Sequence, residues 1–135
     1  MQPPPLIAAA ADPAQVWRDH LSAGRFMLQC CDDCQRHVFH PRAICPYCSS
    51  DRLSWQAANG NGVVYSTTTV SRRPDQGGPY NVALIDLPED VRLMSRVDGI
   101  ASDAVTVGLL VHFAIVESEG EPLLVFVPAM NRVVP

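Results

Sequence analysis

Cys31-Asp32-Asp33-Cys34 and Cys45-Pro46-Tyr47-Cys48 are two C-x-x-C pairs, set close enough together to share one small hairpin. Zinc prefers four soft ligands in a tetrahedron, and two such corners supply them from adjacent turns. Four of the five cysteines fall in this pattern. Disulfides are the rival reading. Nothing at the N-terminus reads as a secretory signal, which points to a reducing, cytoplasmic compartment where disulfides do not persist. A redox C-x-x-C usually opens a helix after a strand, and no helical pattern follows either pair. The expected ligands are therefore Cys31, Cys34, Cys45 and Cys48, in a structural site.

Five neighbouring residues complicate the site. Zinc knuckles often carry glycine after the second cysteine, where the backbone turns with φ > 0; here Gln35 and Ser49 stand there. Cys30 adjoins Cys31 and could compete as a ligand, although the C-x-x-C spacing favours Cys31 and Cys30 reads as a half-buried strand residue. His37 and His40 lie in the intervening loop and could substitute for a thiolate, but with four cysteines present they read as solvated or packed beside the site.

Catalytic constellations are not evident. A dyad of Cys30 with His20 or His37 is conceivable, but no positioned base is legible in the sequence. Gly77-Gly78 precedes Pro79 rather than a helix, so it reads as a turn and not a phosphate loop. Arg72-Arg73 is the charged pair most suited to phosphate contacts such as those of coenzyme A. Its plainer reading is a solvated edge pair, because adjacent strand residues point to opposite faces.

The elements that must position these residues follow from pattern. Met1 to Pro5 is proline-rich and reads as disordered. Asp12-Pro13 starts a helix, with Asp12 as N-cap, Val16, Trp17 and Leu21 on one side, and Gly24 as the stop. Arg25 to Cys30 reads as a strand into the first pair, and Val38 and Phe39 as its return: a zinc ribbon, too small for a core of its own and so dependent on metal. Beyond Leu53 the pattern is β. Strands are expected at Val63–Arg73, Tyr80–Leu87, Val91–Val97, Leu109–Glu117 and Leu123–Val127, with a mobile loop at Pro74–Pro79 and a connector with room for one helical turn at Asp98–Gly108. Five strands with a break between third and fourth match an OB-fold barrel, although spacing alone also fits an SH3-like barrel. The expected fold is mainly β: a tail and helix over 1–24, a rubredoxin-like zinc ribbon over 25–52, and a five-stranded OB-fold barrel over 53–135.

Composition bounds the partners. The chain has 135 residues, 47% hydrophobic and 18% charged, which suits a folded domain. No apolar run is long enough to cross a bilayer as a helix. The net charge is −4 and every basic residue except histidine is arginine. That balance disfavours a nucleic-acid-binding module, the main rival function, which needs a basic groove with exposed aromatics.

The order and spacing of these motifs resemble the acyl-CoA-associated zinc-ribbon/OB-fold proteins, first catalogued as domain-of-unknown-function family thirty-five. The resemblance runs from Trp17 to Pro128. It is carried by Leu28-Gln29-Cys30-Cys31-Asp32-Asp33-Cys34, His40-Pro41-Arg42, Cys45-Pro46-Tyr47-Cys48-Ser49-Ser50, Gly60-Asn61-Gly62-Val63-Val64-Tyr65-Ser66, Tyr80-Asn81-Val82-Ala83-Leu84-Ile85-Asp86-Leu87 and Val107-Gly108. It implies a non-catalytic accessory subunit in lipid metabolism that binds or channels acyl-CoA for a thiolase-like acyltransferase, aldolase or hydratase, in a hetero-oligomer. Zinc is then structural and acyl-CoA a ligand within the complex, with Arg72 and Arg73 as candidate contacts. Trp17, Phe39 and Tyr47 are candidate docking aromatics. A free-standing acyl-CoA hydrolase or transferase is the third reading.

Overall fold

The computed structural model describes residues 12–129. The chain divides into two compact units at Ala58/Asn59. The proline-rich start lies outside the described residues.

The first unit opens with helix α1, Pro13–Ser22. Asp12 caps it, accepting from the Ala14 amide at 3.1 Å, and Pro13 fills the first position, where no N–H is needed. Gly24 ends it at φ 81°, with its amide on Leu21 O and the Arg25 amide on His20 O, both at 2.9 Å. That is a Schellman stop, and only glycine takes its φ without strain. Leu21 is buried, and the Trp17 ring meets Phe39 edge-on with centroids 5.5 Å apart.

Strands β1 (Met27–Cys31), β2 (His37–Val38) and β3 (Leu53–Ala57) form an antiparallel sheet in the order β2-β1-β3. The sequence reading set residue 53 at the head of the barrel. Instead β3 pairs along the whole of β1, from Met27↔Ala57 to Cys31↔Leu53. No strand was expected over these five residues, because the pairing depends on an earlier strand that local pattern does not reveal. Gln29, buried at the centre of β1, uses its amide on both backbone groups of Arg42, at 2.7 and 2.8 Å, which ties the loop before the second cysteine pair to the sheet.

The second unit holds β4 (Asn61–Val70), β5 (Tyr80–Leu87), β6 (Val91–Ser95), β7 (Leu110–Ser118) and β8 (Glu121–Pro128), in the order β6-β5-β4-β7-β8. Alternation along β5 sends Asn81, Ala83, Ile85 and Leu87 inward, where they join Val64, Leu93, Val111 and Phe126. Just beyond β6 the chain leaves β5 and forms a parallel bridge, Val97↔Phe126, with Phe126 N–H on Arg96 O and Asp98 N–H on Phe126 O. This order, with the third strand's end lying parallel to the fifth, is the curled sheet of the OB-fold. Connection and register decide it where strand spacing did not.

Gly62 is required by packing: a Cβ there would lie 2.6 Å from Ile85 Cγ2 and 3.3 Å from Asp86 O. A bulge between Val64 and Ser66 turns Tyr65 outward. Arg92 stacks on the Tyr65 ring at 3.4 Å and binds Asp86, its cross-strand partner, through Nε at 2.6 Å. That contact with the Asp86 carboxylate holds the Arg92 guanidinium above its ordinary range. The expected helical turn in the connector is a short 3-10 turn, Ser102–Ala104.

Candidate metal centre

The two C-x-x-C segments fold as near copies. In each, the amide of the first cysteine donates to the carbonyl five residues on: Cys31 N–H to Arg36 O, and Cys45 N–H to Ser50 O. In each, the carbonyl of the first cysteine accepts from the residue after the second: Gln35 N–H to Cys31 O, and Ser49 N–H to Cys45 O, both at 2.9 Å. Gln35 and Ser49 take the positive φ that glycine usually supplies, 66° and 69°. Gln35 gains a local bond in return, from Nε2 to Asp32 O at 2.8 Å.

This repetition brings Cys31, Cys34, Cys45 and Cys48 together, with all four sulfurs within 4.8 Å of one another. The contacts across the two turns are Cys31–Cys48 at 3.6 Å and Cys34–Cys45 at 3.7 Å. A disulfide needs about 2.05 Å, so all five cysteines are free thiols. A zinc–sulfur bond of 2.3 Å in a tetrahedron sets sulfurs about 3.8 Å apart. The cluster fits that ion. Amide N–H groups aim at two of the sulfurs, Cys34 N–H at Cys31 Sγ and Tyr47 N–H at Cys45 Sγ.

Proton affinities are split across the cluster. The Cys34 amide, first among the causes, lowers the Cys31 thiol to about 7. At Cys48 the Ser50 amide pulls downward, but burial and the neighbouring Cys31, Cys34 and Cys45 sulfurs prevail and push the thiol up to about 12. Sulfurs this close compete for the few donors available, and a divalent cation replaces their protons at one stroke. Four thiolates saturate a tetrahedral ion and leave no position for water, which is the form of a structural site.

The other candidates fall outside the cluster. Cys30 is buried; that burial, followed by the charge of Asp32, raises its pKa. His37 is its cross-strand neighbour, but His37 Nε2 lies 3.3 Å from Gln56 Oε1. His20 accepts from Arg25 Nε, and His40 stacks on Phe39. Sequence missed the clamp around the site. Asp33 pairs with Arg52 at 3.2 Å and accepts from the Ser50 hydroxyl, and Asp32 accepts from the Ser54 hydroxyl at 2.7 Å. Both acidic residues of the first knuckle thus grip the chain leaving the second. Two charged residues inside a C-x-x-C, with Arg52 and two serines downstream, were the available signal.

Arg72 and Arg73 lie beyond the end of β4 rather than within it. Arg72 is held in place, with Nε on Gly78 O at 2.9 Å and its guanidinium 4.6 Å from the Tyr80 ring centre. The segment expected to be a mobile loop is a 3-10 turn, Pro74–Gln76, which this arginine ties back. The Arg73 side chain is exposed and pairs with Asp75 at 3.4 Å. Of the expected docking aromatics, Trp17 and Phe39 pack on each other while Tyr47 is exposed, as is Ile44 nearby. The barrel carries an apolar groove of about 520 Å³, lined among others by Val63, Leu87, Pro88 and Leu110. Arg72 and Arg73 follow the end of β4, and neither lines this groove.

A closed four-cysteine ribbon followed by an OB-fold sheet defines a zinc-ribbon/OB-fold protein. Residues 18–54 match the family model of the ChsH2 rubredoxin-like zinc ribbon domain, and residues 55–116 that of the ChsH2 C-terminal OB-fold domain. The chain is 30% identical over 97 residues to a DUF35 domain-containing scaffold protein of Methanothermobacter thermautotrophicus, covering 67% of this chain and 73% of that one. The chain belongs to the DUF35 family. It is also 33% identical over 119 residues to a protein of Thermomonospora curvata named probable enoyl-CoA hydratase alpha subunit. That match covers 86% of this chain but spans only 37% of the relative's length. Among solved structures, the Ltp2-ChsH2(DUF35) aldolase contains a chain 32% identical, with a TM-score of 0.78, covering 87% of this chain and 94% of that one. A DUF35 protein of unknown function from Sulfolobus solfataricus shares the fold at 18% identity and a TM-score of 0.64.

Proposed function

We propose that the chain is a non-catalytic accessory subunit that binds or channels acyl-CoA for a partner enzyme: an aldolase, an acyl-CoA hydratase or a thiolase-like acyltransferase. The observation that carries this reading is the metal centre. All four of its ligand positions are protein thiols, so its zinc holds a rigid ribbon and activates nothing. Likeness to a chain of the Ltp2-ChsH2(DUF35) aldolase over nearly that chain's full length supports an aldolase first, and the hydratase-subunit relative supports a hydratase next.

The ribbon supplies a docking surface, with Tyr47 and Ile44 exposed beside the knuckles. Arg36 lies 4.8 Å from the Tyr47 ring centre, which holds that side chain ready for a partner at low entropic cost. In the barrel, exposed Arg73 is the candidate contact for the coenzyme A phosphates, and the apolar groove the candidate seat for a short acyl segment. One small barrel provides only part of a coenzyme A thioester site, and the partner completes it. The subunit acts in the cytoplasm, where its thiols stay reduced. Among the described residues, no helix is long and apolar enough to cross a membrane.

The test is affinity purification from the native host through a tag on this chain. Recovery with an aldolase-, hydratase- or thiolase-like protein whose turnover falls when this chain is removed supports the reading. Recovery alone, with acyl-CoA turnover by the purified chain, or recovery with nucleic acid, overturns it.

A further inference from the structure

The β7–β8 hairpin extends past the strand that should flank it. Strand β4 begins at Asn61 and pairs with β7 only through His112, and Gly60 O takes the Phe113 amide before the chain turns away at φ 95°. From Ala114 to Ser118 β7 therefore has β8 on one side and no strand on the other among the described residues. The direction of its main-chain groups is fixed by two prolines. Pro122 and Pro128 lie opposite Glu117 and Val111. Proline has no N–H, so these are the non-hydrogen-bonded pairs of the antiparallel ladder. The odd-numbered residues of β7 then point their amides and carbonyls away from β8, as Phe113 does towards Gly60. Ile115 and Glu117 continue that row, and neither has a hydrogen-bond partner among the described residues.

This open edge leads to an acidic tip. Glu119 and Gly120, at φ 53° and 82°, make the two-residue turn between Ser118 and Glu121. Glu117, Glu119 and Glu121 are exposed there, and none of them forms an ion pair among the described residues. A second copy is a poor occupant. Antiparallel self-pairing centred on the free stretch sets the two Glu117 side chains as diagonal neighbours on one face, about 7 Å apart, where they repel.

We propose that the edge Ala114–Ser118 is a strand-addition site for an extended partner segment that carries basic side chains. Ile115 and Glu117 offer two N–H donors and two carbonyl acceptors, which set the register. The three carboxylates select cationic residues in the segment and exclude acidic ones. The proposal does not depend on the acyl-CoA reading.

The experiment uses the full chain, labelled for amide-resolved NMR, and two capped six-residue peptides, one alternating arginine with valine and the other glutamate with valine. The arginine peptide at millimolar concentration slows exchange at the Ile115 and Glu117 amides about tenfold, while Ala114 and Val116, already bonded to β8, do not change. Glu119→Lys, at the exposed turn, weakens binding of the arginine peptide several-fold. Any one of three results overturns the proposal: no slowing at either amide, equal slowing by both peptides, or protection that appears on raising the chain's own concentration without peptide.

Discussion

Gln35 and Ser49 occupy equivalent places at the ends of the two knuckles, with φ of 66° and 69°, and each donates its amide to the first cysteine of its own pair. The backbone geometry of a glycine knuckle is present without the glycines. A left-handed conformation costs a non-glycine residue about 1 kcal/mol or more. Four thiolates on one ion over-determine the turn, so metal binding outweighs that strain.

Glycine at these positions therefore has unequal effects. Ser49→Gly removes strain and, among the described residues, loses no side-chain hydrogen bond, so the ribbon gains up to about 1 kcal/mol, less the greater chain entropy of glycine when unfolded. Gln35→Gly also loses the bond to Asp32 O and is close to neutral. Chelator-driven metal release resolves the two variants, with slower release for Ser49→Gly.

Metal content and its pH dependence follow from the thiols. Protein purified without chelator holds one zinc for each set of four cysteines. Cys48, pushed up to about 12, and Cys34, also raised, must each lose a proton on binding. Binding therefore releases protons, and affinity falls as pH falls. Cys31, lowered to about 7, is the first thiolate available near neutrality. A competition titration with a chromogenic chelator shows tighter zinc at pH 8 than at pH 6. A flat profile, or no metal in the purified protein, excludes the four-thiolate site. Cys45→Ser loosens the ribbon and leaves the melting of the barrel in place.

Much of this was legible because it is local. The ligand spacing, the Asp12-Pro13 start, the Gly24 stop and the full span of β5 each depend on residues within a few positions of one another. What stayed hidden is non-local. Leu53–Ala57 was not among the expected strands, and its place beside β1 depends on a partner more than twenty residues earlier. Val91 to Val97 reads as one strand, yet its last residues cross to Phe126. Arg72 reads as a solvated or phosphate-seeking arginine until the loop after it folds back to offer Gly78 O.

Asn81 shows the same limit within a strand. It falls on the inward face of β5, where the pattern asks for an apolar residue, and is buried. Its Nδ2 donates to Thr67 Oγ1 and Thr68 O, and its Oδ1 accepts the Val97 amide at 2.9 Å, so one side chain holds the crossing that closes the sheet. Asn81→Ala strands that amide and leaves a small void, costing the barrel about 2–4 kcal/mol. Asn81→Asp restores size and acceptor but buries a charge, and is no better. Thermal unfolding of both variants, with amide exchange at Val97 as the local readout, checks this.

The arginine pair gives the sharpest test of the acyl-CoA role. Both were candidates in the sequence, but only Arg73 is uncommitted enough to serve. Its ion pair with Asp75, at 3.4 Å, is exposed on both sides and worth well under 1 kcal/mol, so a phosphate displaces it easily. Arg72 would have to give up Gly78 O and the Tyr80 ring. In the assembled complex, Arg73→Ala weakens acyl-CoA binding several-fold and the loss shrinks as salt is raised, because an exposed charge on a phosphate is screened. Arg72→Ala acts through the 74–78 turn instead: its effect is smaller, insensitive to salt, and accompanied by faster amide exchange in that turn. Binding by calorimetry at low and high salt separates the two. Equal affinity for wild type and Arg73→Ala at both salt concentrations removes Arg73 from the coenzyme A site and leaves it as a solvated residue beyond the strand end.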